Sequence, residues 1–196
     1  MTIGVLALQG DFEEHIIKLS GMSVPTREVR LPADLDGLSG LILPGGETTT
    51  FRNLAEAYGL IEPLREFGKR RAVWGTCAGA IVLARNIGGE EPVLGLMDMV
   101  VVRNAFGRQA DSFEIDLGIP ALGSGNHRPP PSFHAVFIRA PAIQAVGRGV
   151  DVLARLPDGT IVAARQGRWL ATCFHPELGD DDRLHRLFLE TSASAG

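Results

Sequence analysis

The chain has 196 residues, 45% of them hydrophobic and 21% charged, with a formal net charge of −4 at pH 7. A globular chain of that length buries roughly 70% of its unfolded surface, and this one lacks the basic footprint that nucleic-acid binding requires. Its two cysteines make neither a disulfide framework nor a zinc pattern, the N-terminus Met1-Thr2-Ile3-Gly4-Val5-Leu6 has no basic leader segment, and no apolar run is long enough to span a bilayer. One domain over residues 1–196 is expected, in a reducing, cytoplasmic setting where a free thiol persists.

The first half of the chain alternates strand and helix signals. Ile3 to Leu8 is a continuous apolar run, as for a strand covered on both faces. Asp11 is placed to cap a helix through Phe12, His15, Ile16 and Leu19, which share one face. Arg27 to Leu31 and Leu41 to Leu43 read as further strands, the latter stopped by Pro44-Gly45-Gly46. Helices follow over Thr50 to Ala57 and Ile61 to Lys69, then a strand at Ala72 to Trp74 and a helix over Ala78 to Ala84. Such alternation predicts a three-layer, doubly wound, mostly parallel α/β sheet.

The second half reads as short strands: Val93 to Leu96, Met99 to Val102, Ser112 to Leu117, Ala135 to Arg139, Val150 to Leu156, Thr160 to Ala164 and Trp169 to Phe174. Pro157-Asp158-Gly159 and Gln166-Gly167 are turn signals between them, so an antiparallel extension of the sheet is expected. Ile119 to Ser132, rich in proline and glycine, reads as a surface loop. Asp180 to Glu190 predicts a closing helix with Leu184, Leu187 and Phe188 inward, and Ser192 to Gly196 a frayed tail.

The chemistry centres on Gly75-Thr76-Cys77-Ala78-Gly79, between the Ala72–Trp74 strand and the next helix. This is a nucleophile-elbow pattern with cysteine in the serine position. Small flanking residues allow the tight turn, and the helix N-terminus favours a thiolate. A buried structural cysteine is the alternative reading of the pentapeptide alone. Among the five histidines, His175 stands out: it follows an apolar strand, Pro176 fixes the turn, and Glu177 lies two positions on, able to hold the imidazole tautomer. Both Cys77 and His175 belong to the carboxyl ends of predicted strands, where reactive groups gather in open α/β sheets. His15 and His185 read as helix residues of core or surface, His127 and His134 as flanks of the proline-rich loop, and Cys173 as core. Oxyanion donors are expected from the Ala78 backbone N–H and from the Gly45-Gly46 loop.

These segments resemble the class I glutamine amidotransferases and, more specifically, the glutaminase subunits of pyridoxal 5'-phosphate synthases. The likeness runs from about Ile3 to Phe188. It rests on Gly4-Val5-Leu6-Ala7-Leu8-Gln9-Gly10, Leu43-Pro44-Gly45-Gly46-Glu47-Thr48-Thr49, the cysteine elbow, Arg103-Asn104-Ala105-Phe106-Gly107-Arg108-Gln109, Ser112-Phe113-Glu114, Phe137-Ile138-Arg139-Ala140-Pro141 and Phe174-His175-Pro176-Glu177-Leu178. The resemblance implies a Cys77–His175–Glu177 triad that hydrolyses L-glutamine through a glutamyl thioester. It implies glutamine contacts at Gly46, Glu47, Thr48, Arg103, Ile138 and Arg139, and no cofactor or metal. It also implies a synthase partner, a dodecameric core decorated by glutaminase subunits, which receives the ammonia and whose docking reorganises the Gly45-Gly46 loop. The family serine after Gly-Gly-Glu is Thr48 here, which keeps the hydroxyl. Three other readings remain compatible with the residues: an amidotransferase serving a different acceptor, a scaffold subunit with an inert triad, and a cysteine peptidase.

Overall fold

The computed structural model of the chain describes residues 1–106, 112–123 and 132–194. In chain order its strands are β1 (Ile3–Leu6), β2 (Thr26–Val29), β3 (Gly40–Leu43), β4 (Ala72–Thr76), β5 (Ala84–Asn86), β6 (Met97–Val102), β7 (Ser112–Leu117), β8 (Phe133–Ile138), β9 (Ala142–Val146), β10 (Asp151–Arg155), β11 (Ile161–Gln166) and β12 (Trp169–Thr172). The helices are α1 (Phe12–Gly21), α2 (Thr48–Ala57), α3 (Ile61–Arg70), α4 (Ala78–Leu83) and α5 (Arg183–Ser194).

One mixed sheet of ten strands, ordered β2-β1-β3-β4-β12-β11-β9-β6-β5 with β10 beside β11, carries the fold; β7 and β8 pair separately. The first five strands of that order are mutually parallel. From β12 onward the pairing turns antiparallel through β11, β9 and β6. Every residue of β1, β3 and β4 is buried, which is why these segments read as unbroken apolar runs rather than alternating ones. Helices cover both faces. Trp74 of β4 meets His15 of α1 and His185 and Phe188 of α5 on one side. On the other, α4 lies directly against β4 and β3: a Cβ on Gly75 would stand 2.3 Å from the Gly79 carbonyl oxygen, and one on Gly79 only 2.0 Å from that of Leu43. The glycines flanking Cys77 are thus steric requirements of the sheet–helix contact. Among the described residues no helix is long and apolar enough to cross a membrane.

The doubly wound sheet and its antiparallel extension agree with the sequence reading, as do the hairpin at Pro157-Asp158-Gly159, where Asp158 accepts from the Thr160 N–H at 2.9 Å, and the tight turn at Gly167. Several expectations need correction. Val93 to Leu96 is not a strand: Gly95 has φ +63°, which breaks the extension, and the buried apolar residues pack as a loop whose Leu94 N–H reaches the Val82 carbonyl. Asp11 makes no capping bond, because its backbone (φ −83°, ψ 44°) is not the extended conformation a cap needs. The strands β5 and β9 were not foreseen. The end of the chain is not frayed through Ser192: α5 continues to Ser194, and Ser192 is buried where it crowds Gly40 of β3. Of the loop Ile119 to Ser132, residues 124–131, including His127, lie outside the described residues, as do Gly107, Arg108 and Gln109.

Gly79→Ala should destabilise the fold by about 1–3 kcal/mol, because the added methyl forces backbone apart at the Leu43 carbonyl. Equilibrium urea unfolding with an unchanged m-value measures this, and wild-type stability would refute the steric reading.

Candidate active site

The register of the parallel strands sets the site. Leu43 of β3 pairs with Gly75 of β4, and Thr76 of β4 with Thr172 of β12, so the chain leaves these neighbouring strands at one level. Gly45 and Gly46 follow the first exit, Cys77 the second and His175 the third. The loop after β1, next in the sheet, adds Gln9 and Asp11. Cys77 occupies φ 48°, ψ −109°, a conformation that costs an L-residue on the order of 1–3 kcal/mol. It is held there by its N–H on the Thr172 carbonyl at 2.8 Å and by its own carbonyl accepting from Ala80 at 3.1 Å.

The structure brings the three residues expected to act together into one cluster. The Cys77 thiol interacts with the His175 ring and donates weakly to the Ile138 carbonyl at 3.9 Å. His175 Nδ1 lies 2.7 Å from Glu177 Oε1. All three are at least nine-tenths buried. Burial opposes charge on His175, but hydrogen bonds with Asp11, Cys77 and Glu177 and the Glu177 charge outweigh it and push its pKa up to about 12. Burial raises the Glu177 pKa, against the His175 contact that favours its carboxylate. A second carboxylate enters here unforeseen: Asp11 Oδ2 is 3.3 Å from His175 Nδ1, and that contact lowers the Asp11 pKa. The donor atoms of Asp11, His175 and Glu177 lie within 4.8 Å of one another, and the shortest separation among them that is a hydrogen bond is the 2.7 Å between His175 Nδ1 and Glu177 Oε1.

A cavity of about 410 Å³ opens above the sulfur, lined by Asp11, Gly46, Glu47, Thr48, Cys77, Ala78, Ile81, Arg103, Asn104, Ile138, Arg139, Pro141 and His175. Every residue expected to contact glutamine is among them. Gly45 is not, yet it abuts the imidazole: a Cβ there would stand 2.6 Å from His175 Cε1. A larger hollow of about 550 Å³ near Pro32, Leu35 and Phe67 holds neither cysteine nor histidine. His134 is elsewhere, exposed between Glu114 and Asp116, each at 3.0 Å. Cys173 is fully buried, and burial raises its thiol pKa.

The wall residues are held in different ways. Glu47 caps α2, accepting from the Thr49 N–H at 3.0 Å, the Thr50 N–H at 2.7 Å and the Thr50 hydroxyl at 2.6 Å. The Thr50 contacts chiefly, then Thr49, hold its pKa at about 2, so its charge is committed to the helix and not to the cavity. Gln9 clamps the glycine loop: its Nε2 donates to the Gly45 carbonyl at 3.2 Å and its Oε1 accepts from the Glu47 N–H at 2.7 Å. Gly46 sits at φ +129° with Gln9 where a Cβ would go. Arg103 pairs with Glu90 at 3.0 Å, while its Nε is buried without a partner among the described residues. Asn104 and Arg139 adopt φ 48° and 44°; with Cys77 they make three of the four described non-glycine residues at positive φ, so backbone strain gathers at this cavity. The involvement of Asn104 was readable from its type, since asparagine tolerates the left-handed region.

The SNO glutamine amidotransferase family profile matches residues 5–194. A protein named pyridoxal 5'-phosphate synthase subunit PdxT from Roseiflexus castenholzii is 53% identical over 194 residues, covering 97% of this chain and 100% of that protein. The protein of the same name from Deinococcus radiodurans is 55% identical over 96% of each chain. A solved structure described as a glutamine amidotransferase superposes with a TM-score of 0.89 at 50% identity, covering 97% of this chain and 98% of that one. PurLQS from Thermotoga maritima superposes at 0.70 with 13% identity over 96% and 97%, a likeness of fold alone. Near-complete coverage at about half identity leaves one assignment: this chain belongs to the SNO glutamine amidotransferase family.

Proposed function

We propose that residues 1–196 form one glutaminase domain that hydrolyses L-glutamine and delivers ammonia to a pyridoxal 5'-phosphate synthase partner in the cytoplasm, with no cofactor of its own. The observation that supports this is the convergence on one cavity of residues from the separate segments 46–48, 77–78, 103, 138–139 and 175, with Glu177 behind His175 at 2.7 Å. The names of the relatives at 53% and 55% identity support the partner.

The chemistry follows from the groups present. Cys77 sulfur attacks the side-chain carbonyl carbon of glutamine, and the carbonyl oxygen becomes an oxyanion facing the Ala78 and Gly46 N–H groups. His175, carrying the thiol proton, gives it to the amide nitrogen as the C–N bond breaks, and ammonia leaves. A water molecule, deprotonated by His175, then attacks the glutamyl thioester; glutamate departs and the thiol is restored. Glu177 holds the ring with Nδ1 protonated, so that Nε2 faces the sulfur. Arg103 and Arg139 supply the cationic side of the cavity for the substrate α-carboxylate, and Arg103 Nε, without a partner among the described residues, is a donor available to it. Glu47 lines the wall while its N–H is held by Gln9 and its carboxylate is spent on α2.

Docking to the synthase, read as a dodecameric core, would act on the Gln9 clamp. A trans peptide sends its C=O and the next N–H in opposite directions. The bond from Gln9 to the Gly45 carbonyl therefore also sets the direction of the Gly46 N–H. Moving Gln9 changes the oxyanion donors, which ties hydrolysis to the presence of an acceptor for ammonia.

Three outcomes test this reading. Cys77→Ala should abolish glutamate formation while circular dichroism and thermal unfolding stay as in wild type; turnover near wild type would remove the nucleophile. Arg103→Ala should raise KM for glutamine about 10- to 100-fold, the loss of a charged hydrogen bond to substrate, with a smaller change in kcat; an unchanged KM in initial-rate assays would place the carboxylate elsewhere. Addition of the synthase should raise glutaminase kcat, measured as glutamate released, and no response at saturating partner would overturn the gating.

A further inference from the structure

The oxygens of Glu177 face different partners. Oε1 takes the His175 proton at 2.7 Å. Oε2 is buried, makes no aligned hydrogen bond among the described residues, and lies 3.3 Å from Nε2 of His15 on α1. That nitrogen also stands 3.2 Å from the hydroxyl of Thr76, the residue before the nucleophile. The other ring nitrogen of His15 is 3.2 Å from Nε2 of His185 on α5. A line of buried groups thus runs from His175 through Glu177 and His15 to His185. The two histidines have no exposed surface.

One tautomer assignment satisfies the line. If His15 carries its proton on Nε2, that N–H meets Thr76 Oγ1 at 3.2 Å and turns its positive edge toward Glu177 Oε2 at 3.3 Å, and Nδ1 accepts from His185 Nε2–H. The Nδ1 of His185, without a partner among the described residues, is then a bare lone pair rather than a stranded proton. The opposite assignment sets a His15 lone pair against a carboxylate oxygen, an uncompensated contact inside the core.

We propose that His15 is a positioning residue for the glutaminase reaction: as a neutral Nε2–H donor fixed by His185, it holds Glu177 in the rotamer and charge state that orient His175. A neutral donor suits the place. A cation there would stabilise Glu177 but oppose the imidazolium forming on His175. Burial keeps both outer rings neutral; desolvation chiefly, then the neighbouring His185, His175 and Lys18, drives the His15 pKa well below its usual value, and burial and Lys18 bring His185 to about 3 against the opposing pull of Asp182. The other ionisable groups facing the line are Asp11 and His175.

The inference rests on the Cys77–His175–Glu177 reading, which Cys77→Ala tests separately. His15→Leu removes the donor, whereas His15→Gln keeps an N–H near Nε2 and an acceptor toward His185. The leucine variant should lose about 10- to 100-fold in kcat, as for one hydrogen bond to a charged group, with KM little changed. Its acid limb of kcat should move to higher pH, because Glu177 without its donor protonates more readily. The glutamine variant should retain kcat to within about threefold. Long-range ¹H–¹⁵N spectra of the wild-type protein at neutral pH should place the His15 proton on Nε2, a readout that needs no turnover. A folded leucine variant with wild-type kcat and pH profile, a glutamine variant as impaired as leucine, or a His15 proton on Nδ1 would each overturn the proposal. Should the leucine variant not fold, the glutamine variant and the spectra decide.

Discussion

Parallel pairing of β3, β4 and β12 is the constraint from which the site follows. Hydrogen-bonded register brings Leu43, Gly75 and Ala171 to one level, so the three chain exits lie side by side although they are separated by many residues of sequence. No loop has to search for its partner. The sheet delivers a glycine turn, a thiol and an imidazole to the same edge, and β1 adds the Gln9–Asp11 loop. The price is a cysteine at positive φ. Two backbone hydrogen bonds and the glycine-mediated seat of α4 keep it there, so the strain is opposed by contacts on both sides of the sulfur.

The buried polar groups behind the site follow from the same geometry. Strand side chains alternate between faces, so with Gly75 against α4, Thr76 and Trp74 point to the opposite layer, where α1 and α5 bring His15 and His185. A fully apolar packing would serve stability there. Instead the core holds two neutral histidines, a threonine and a carboxylate. Glu177 has a hydrogen-bond partner for one oxygen only, His175 at 2.7 Å, and its other oxygen lies 3.3 Å from His15 without an aligned bond among the described residues.

Much of this was legible in the sequence because the features that matter locally are punctuated locally. Gly75-Thr76-Cys77-Ala78-Gly79 announces a tight strand–helix junction, and apolar runs such as Leu41–Leu43 announce strands covered on both faces. What failed depended on partners distant in the chain. Asp11 reads as a helix cap from its neighbours, yet it turns to His175, which lies far beyond it in sequence. Val93 to Leu96 has strand composition, but Gly95 and the packing on α4 make it a loop. The closing helix runs on to Ser194 because Ser192 packs on β3, a contact no local pattern encodes. His15, read only as a helix residue, had one readable sign: it stands four positions from Leu19 on the inward face of α1.

Recognition of the substrate turns on how charge is distributed around the cavity. Glu47, which follows the glycine loop, is held as a carboxylate by the Thr50 and Thr49 donors at the N-terminus of α2, and the helix end offsets part of its charge. Arg103 is neutralised only on one side, by Glu90 at the rim, a pair exposed enough for water to compete with it. Its buried Nε has no such competition. On the proposed reading, a substrate carboxylate that reached that nitrogen would gain a desolvated charged hydrogen bond while Glu90 kept the outer edge of the guanidinium. Glu90 would then act as a brace that keeps the fork facing inward, and the arginine would take up a carboxylate without first surrendering its partner.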